Sequence, residues 1–330
     1  MLQSLFVAVN AVIPFLIYMV FGFCAHAAGV VSKEFLDELN RVIFKLMFPF
    51  VTFYNIYSAD ISDLPGRTLI IFSIASLLIL QAVLLVVVPL IVKENSRRGV
   101  IIQAIFRSNF VLFALPLVLS VYGDTAGSTA AVIVTIVVTI YNITSVIILE
   151  LFHSKELSET ADGQGAGRKG RTRELALSIA KNVVKNPLLQ GACVGIVFLL
   201  AGITLPSAID SVVETFSDLA TPLALFILGG TLNFGSLKKN LRYLLPGLFV
   251  KLIAVPAVMM SIAYALGLRS LELFLVLAMY GTPIAVASYP MAQNMGGDGE
   301  LAGHFVMLST VLSVLTLFLW IFVLDAAALL

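Results

Sequence analysis

Charged side chains are scarce in this sequence. Asp, Glu, Lys and Arg make up 12% of the 330 residues, about half the share found in soluble domains. Hydrophobic residues make up 60%, and the mean hydropathy is +1.04. Together these exclude a water-soluble globule and require an integral membrane protein. Cysteine and histidine are nearly absent, with two and three residues. Cys24 and Cys193 lie in apolar runs, and no CxxC pair or His-rich ligand set occurs, so neither a disulfide nor a metal site is expected. Both thiols should be buried as small hydrophobes. The net charge of +1 says nothing about partners, since what matters is how charge is distributed among the loops, and nucleic acid is not expected as a partner. Also missing is any nucleophile with a base at membrane depth. Ser108 stands beside Arg107 without a candidate base, so no catalytic residue and no cofactor is expected.

What is abundant is long apolar runs. A spanning helix needs about 20 such residues, and runs of that kind occupy residues 5–27, 40–58, 67–92, 99–121, 128–152, 186–204, 208–231, 241–267, 271–294 and 301–324. The first lacks the basic start and cleavage site of a signal peptide and is read as a retained helix. Odd-numbered connections hold 14 Lys and Arg, whereas the even ones hold only Arg67 and Arg269. The positive-inside rule then puts the odd connections in the cytoplasm and both termini outside, with the bacterial inner (plasma) membrane as the expected location.

Prolines and glycines recur at a constant offset of 173 residues: Pro14 with Pro187, Gly22 with Gly195, Gly29 with Gly202, Pro49 with Pro222, Gly123 with Gly296. Matched helix breakers imply a duplicated plan. With five helices per half, the second half must be inverted. The expected fold is an all-α polytopic membrane protein of ten transmembrane helices. Residues 1–152 form the first five-helix repeat, 153–185 a flexible cytoplasmic linker, and 186–330 the inverted second repeat.

The fourth and ninth spans depart from plain apolar composition. Phe106 to Pro116 contains Arg107, Ser108 and Asn109, and Tyr280 to Pro290 contains Gly281, Thr282, Pro283 and Ser288. Proline frees carbonyls that hydrocarbon cannot satisfy, so these segments are expected to be broken helices that line a wet cavity. Half-helix N-termini there favour an anion.

These segments, with Met47–Ile56 and its Asn55, Thr221–Leu232, and Gly296–Asp298 after the ninth span, resemble the auxin efflux carrier family, whose members share the bile-acid symporter fold. The resemblance implies a scaffold of helices 1, 2, 6 and 7 and a mobile elevator-like transport unit of helices 3–5 and 8–10. It also implies that helices 4 and 9 cross at the substrate site and that the carrier is a homodimer. Plant auxin carriers have an Asn-Pro-Asn motif at each crossing. This chain has Asn109 with Pro116, and Thr282 with Pro283.

Four basic residues lie within the runs, Arg41, Lys45, Arg107 and Lys251, and no carboxylate lies at mid-depth. A charge at the bilayer centre costs about 2.5 to 3.5 kcal/mol, so Arg107 and Lys251 should face a cavity and pair with a carried carboxylate. Arg41 and Lys45 align at the repeat offset with Glu214 and Asp218. They are read as vestibule residues that draw anions in, with Asp218 helping to expel them. The expectation is a secondary carrier of a small organic anion, such as malate, malonate or an auxin-like acid, exporting it down the membrane potential. Sodium- or proton-coupled symport is the rival. A non-transporting receptor and an intramembrane enzyme are the readings from other classes.

Overall fold

The computed structural model describes residues 2–59, 65–123, 126–161 and 171–329, and these are helical almost throughout. In chain order the helices are α1 (Leu2–Ala27), α2 (Lys33–Val42), α3 (Phe48–Tyr57), α4 (Arg67–Ile91), α5 (Asn95–Phe106), α6 (Phe110–Tyr122), α7 (Gly127–Ala161), α8 (Arg171–Lys185), α9 (Pro187–Ala201), α10 (Ser207–Thr231), α11 (Phe234–Phe249), α12 (Val255–Ala265), α13 (Ser270–Gly281), α14 (Ser288–Asn294) and α15 (Gly299–Ala326). By length and composition, five helical stretches among the described residues are able to cross a membrane. They start at Arg67, Gly127, Ser207, Phe234 and Gly299. A sixth candidate is bent by 64° where α8 meets α9. Side chains such as Leu90, Ile91 and Leu200 are 81, 74 and 76% exposed. Such an exterior is tenable only against lipid.

Two helices change register at π-turns, and proline explains both. Ile43–Met47 joins α2 to α3 just before Pro49, and Val250–Ala254 joins α11 to α12 just before Pro256. Proline has no N–H for the carbonyl four residues back. The π-turn relieves the clash and leaves a carbonyl open. In the second case that carbonyl belongs to Leu252, and the Trp320 indole donates to it at 2.9 Å.

Helix ends are capped as their sequences dictate. Ser32 accepts from Phe35 N–H ahead of α2, and Asp298 accepts from Leu301 N–H at 2.9 Å ahead of α15. Arg98 folds back over the C-terminus of α4, donating to Val92 O at 2.7 Å and Pro89 O at 3.3 Å. There its charge meets the negative end of the helix dipole.

The closest packing is between α1 and α10. A Cβ built on Gly22 would lie 1.8 Å from Phe226 O, and one on Gly229 would lie 1.9 Å from Met19 O. Only glycine permits two backbones to approach this closely. α3 packs against α9 and α10, so α1, α2, α3, α9 and α10 form one cluster. α4 to α7 and α11 to α15 pack mainly among themselves, with α1 touching α6 and α15.

Three expectations are corrected. Cys24 and Cys193 are exposed, free thiols on the outer surface. An apolar run in a bilayer needs no interior position for a small apolar side chain. The segment 153–185 is helical where it is described, because α7 continues to Ala161 and α8 starts at Arg171. Asn182 of α8 donates to Glu150 Oε1 of α7 at 2.8 Å, which docks α8 instead of leaving a tether. Residues 162–167, the glycine-rich part of that expectation, lie outside the described residues. His153, expected to be solvated, packs on Gly296, where a Cβ would sit 1.9 Å from the imidazole Nδ1.

A charged clasp closes the same end. Arg97 Nε reaches Asp298 Oδ2 at 3.0 Å, and Arg242 lies 3.7 Å from Glu94. Tyr243 donates to Glu94 Oε2 at 3.2 Å, and its ring is covered by Arg97 and Arg242. Backbone hydrogen bonding first, then the Tyr243 hydroxyl and the two arginines, hold the Glu94 carboxyl below the usual carboxylate range. A depressed carboxyl contributes stability that is complete above its unfolded value and is lost as pH falls through the folded one. Glu94→Gln is therefore expected to lower the apparent melting temperature in detergent near neutrality. That deficit should shrink on acidification below about pH 4. A deficit that does not change with pH would show that charge plays no part in the clasp.

Candidate functional site

α5 stops at Phe106 and α6 starts at Phe110, while α13 stops at Gly281 and α14 starts at Ser288. The intervening strands of chain run antiparallel. Asn109 N–H donates to Pro283 O at 2.7 Å, and Ala285 N–H donates to Arg107 O at 3.3 Å. Ser108 and Ile284 form the bridge pair, and Ile284 N–H donates to Ser309 Oγ at 3.1 Å. Pro283 forces Thr282 out of the helical region, to ψ 158°. Each break thus supplies the hydrogen bonds that the other lacks, as unwound backbone at membrane depth requires.

The side chains of the first break carry the chemistry. Arg107 is 4% exposed. One Nη donates to Asn142 Oδ1 of α7 at 2.6 Å, and the other rests on the Met291 sulfur. Lys251, fully buried at the π-turn, donates to Ser108 Oγ. Tyr141 donates to Met279 O at 2.9 Å, tying α7 to the end of α13. Ion pairs join Arg97 and Arg242 to Glu94 and Asp298 at the clasp, and neither Arg107 nor Lys251 takes part in them.

A cavity of about 400 Å³ borders the crossing. Arg107, Ser108, Asn109 and Asn142 line one wall. Asn55 of α3 and Asp218 of α10 border it too. Phe110 to Leu112, the first turn of α6, also border it, and no side chain caps that helix. The Asn109 amide Nδ2 is buried without a partner. A guanidinium and an uncapped helix N-terminus therefore border one space, an arrangement suited to an anion.

The expected site residues separate into groups. Arg107, Ser108, Asn109, Asn55 and Asp218 line the cavity. Lys251 does not; it is buried at the π-turn and donates to Ser108 Oγ. Thr282 caps the last turn of α13 through Ala278 O at 2.8 Å, Pro283 lends its carbonyl to Asn109, and Gly281 is buried at the helix end. Ser288 is buried with an unpaired hydroxyl at the start of α14. Pro116 lies inside α6, beyond the break, which falls at 107–109 instead. Arg41 and Lys45 are not cavity residues: both are exposed, and Lys45 borders a separate groove with Pro49 and Gln190. The π-turn at Ile43–Met47 adds a residue to one turn and rotates this face relative to α3. Asn142 and Met291 are the residues that sequence reasoning missed. Asn142 reads in the sequence only as a lone amide in an apolar helix.

A helical, lipid-facing protein whose broken helices cross beside a buried cavity is a membrane transporter by class. The chain belongs to the family described as Membrane transport protein, whose model matches residues 7–321. This is the auxin efflux carrier family that the motifs of the sequence resemble. An "Uncharacterized transporter" of Methanothermobacter thermautotrophicus is 26% identical over 323 residues, covering 94% of this chain and 96% of that protein. A protein of Rhizobium meliloti named "Putative malonate transporter" is 26% identical over 155 residues, 46% of this chain and 47% of its own length.

Proposed function

We propose that the protein is a secondary carrier of a small organic anion, a mono- or dicarboxylate of malonate size. The observation that carries this reading is Arg107, buried in the cavity wall with a neutral amide and a thioether as its contacts. Burying a cation without a carboxylate is costly, and a carried carboxylate would relieve that cost. Lys251 adds positive charge beside Ser108. The name of the Rhizobium relative agrees with this chemistry.

Transport proceeds by alternating access, with ten spans in two inverted repeats in the bacterial inner membrane, the termini outside. The cluster of α1 to α3, α9 and α10 is the scaffold, two scaffolds meet in a homodimer, and the remaining helices move. Packing within each cluster supports this division. On the side of the crossing away from Asn55, Gln293 of α14 accepts from Asn40 and donates to Asp37, each at 2.8 Å. Tyr289 meets Thr231 at 2.8 Å. These bonds hold the cytoplasmic side closed and must part for the cavity to open there. An inside-negative potential of about 100 mV drives a monovalent anion outward with about 2.3 kcal/mol, so export requires no coupling ion. One feature favours a second reading: Asp218 in the cavity wall offers a proton site for symport.

The test is flux of labelled malonate in liposomes, with voltage and sodium varied separately and pH clamped. Voltage-driven, sodium-independent export is the expected result. Strictly sodium-dependent flux that ignores voltage would overturn the uniport reading, and flux that stops without a proton gradient would favour Asp218-linked symport.

A further inference from the structure

We infer that Asn142 is the positioning residue of the anion site, holding the Arg107 fork at the cavity wall with a neutral acceptor so that its charge is left for the ligand. This rests on the anion-carrier reading above and names the residue that keeps the site selective for anions. A guanidinium offers only donors, so the amide must turn its oxygen toward Arg107, and the 2.6 Å contact fixes that orientation. Asn142 is itself 4% exposed and lines the cavity, so its carbonyl and the incoming carboxylate share one guanidinium. Its place is rigid, because the neighbouring Tyr141 hydroxyl is bound to Met279 O at the end of α13. The second contact of the guanidinium, the Met291 sulfur, is neutral as well.

The consequence turns on one atom. Aspartate has the shape of asparagine, so at this position it would keep the geometry and convert the contact into an ion pair. That pair would neutralise the arginine and leave a repelled ligand. Serine, short and neutral, would leave the charge free but the fork less well held.

The measurement is ligand-induced thermal stabilisation of the full chain in detergent, titrated with malonate and, as a neutral control, malonamide. Wild type is expected to respond to malonate alone. Asn142→Asp should raise the apparent Kd for malonate by about tenfold or more, with an unliganded melting temperature equal to or above that of wild type. Asn142→Ser should raise it by about threefold. If Asn142→Asp binds malonate as wild type does, or if the two variants lose affinity equally, the inference is wrong. If wild type itself shows no response to malonate, the reading of this site as one for a malonate-sized carboxylate fails instead. The two failures are thereby distinguished.

Discussion

Arg107→Ala is expected to weaken carboxylate binding by about ten- to a hundredfold, and transport with it, in a protein that remains folded. Hydrogen bonds to a charged group contribute about 1.5 to 3 kcal/mol, which sets this range. Folding should survive for a specific reason. The substitution removes a buried charge whose contacts are Asn142 and Met291, so the desolvation it relieves offsets the loss of a hydrogen bond. Arg107→Lys should recover little, since an ammonium cannot span Asn142 and a carboxylate in one planar fork. Equilibrium binding and liposome flux, measured beside the melting temperature, separate the two effects. Retained affinity in Arg107→Ala would remove this arginine from the site. Collapse of the fold in both variants would make it a structural residue.

Gly229→Val is expected to abolish monodisperse folded protein. The added Cβ would meet Met19 O at 1.9 Å, and the opposing residue is backbone in a continuous helix, so nothing flexible can yield. α1 and α10 would have to separate by more than about an ångström, a change in a class that costs at least about 1 to 3 kcal/mol and commonly more. The damage would reach the cavity, which both helices line. Cys193→Ala, on the exposed face of α9, is the control and should elute as wild type does. Size-exclusion profiles decide the matter, and a normal profile for Gly229→Val would mean that the α1/α10 contact is looser than described.

Much of the fold is legible in the sequence, and for local reasons. Helix content and lipid exposure follow from apolar runs and hydropathy. The second break is legible too, because Pro283 cannot sustain a helix. The first break is legible as a break within Phe106–Pro116, but its position is not. Pro116 suggests it, yet α6 carries that proline intact, and the chain unwinds at Arg107–Asn109 because Pro283 and Ala285 supply replacement hydrogen bonds. The packing of Lys45 beside Pro49 and Gln190 was not legible either: helical spacing assumes uninterrupted turns, and Lys45 lies within a π-turn.

The sequence by itself determined the class of protein, its helical build and its unpaired basic residues, since hydropathy, proline and charge act through local solvation and backbone sterics. Only the tertiary structure decided which of those residues share a space. Arg107 meets Asn142, Lys251 reaches Ser108, Asp218 borders the same cavity as Arg107, and segments far apart in the chain pair antiparallel at the two breaks. That pairing is a long-range hydrogen-bonding solution, and no local period encodes it.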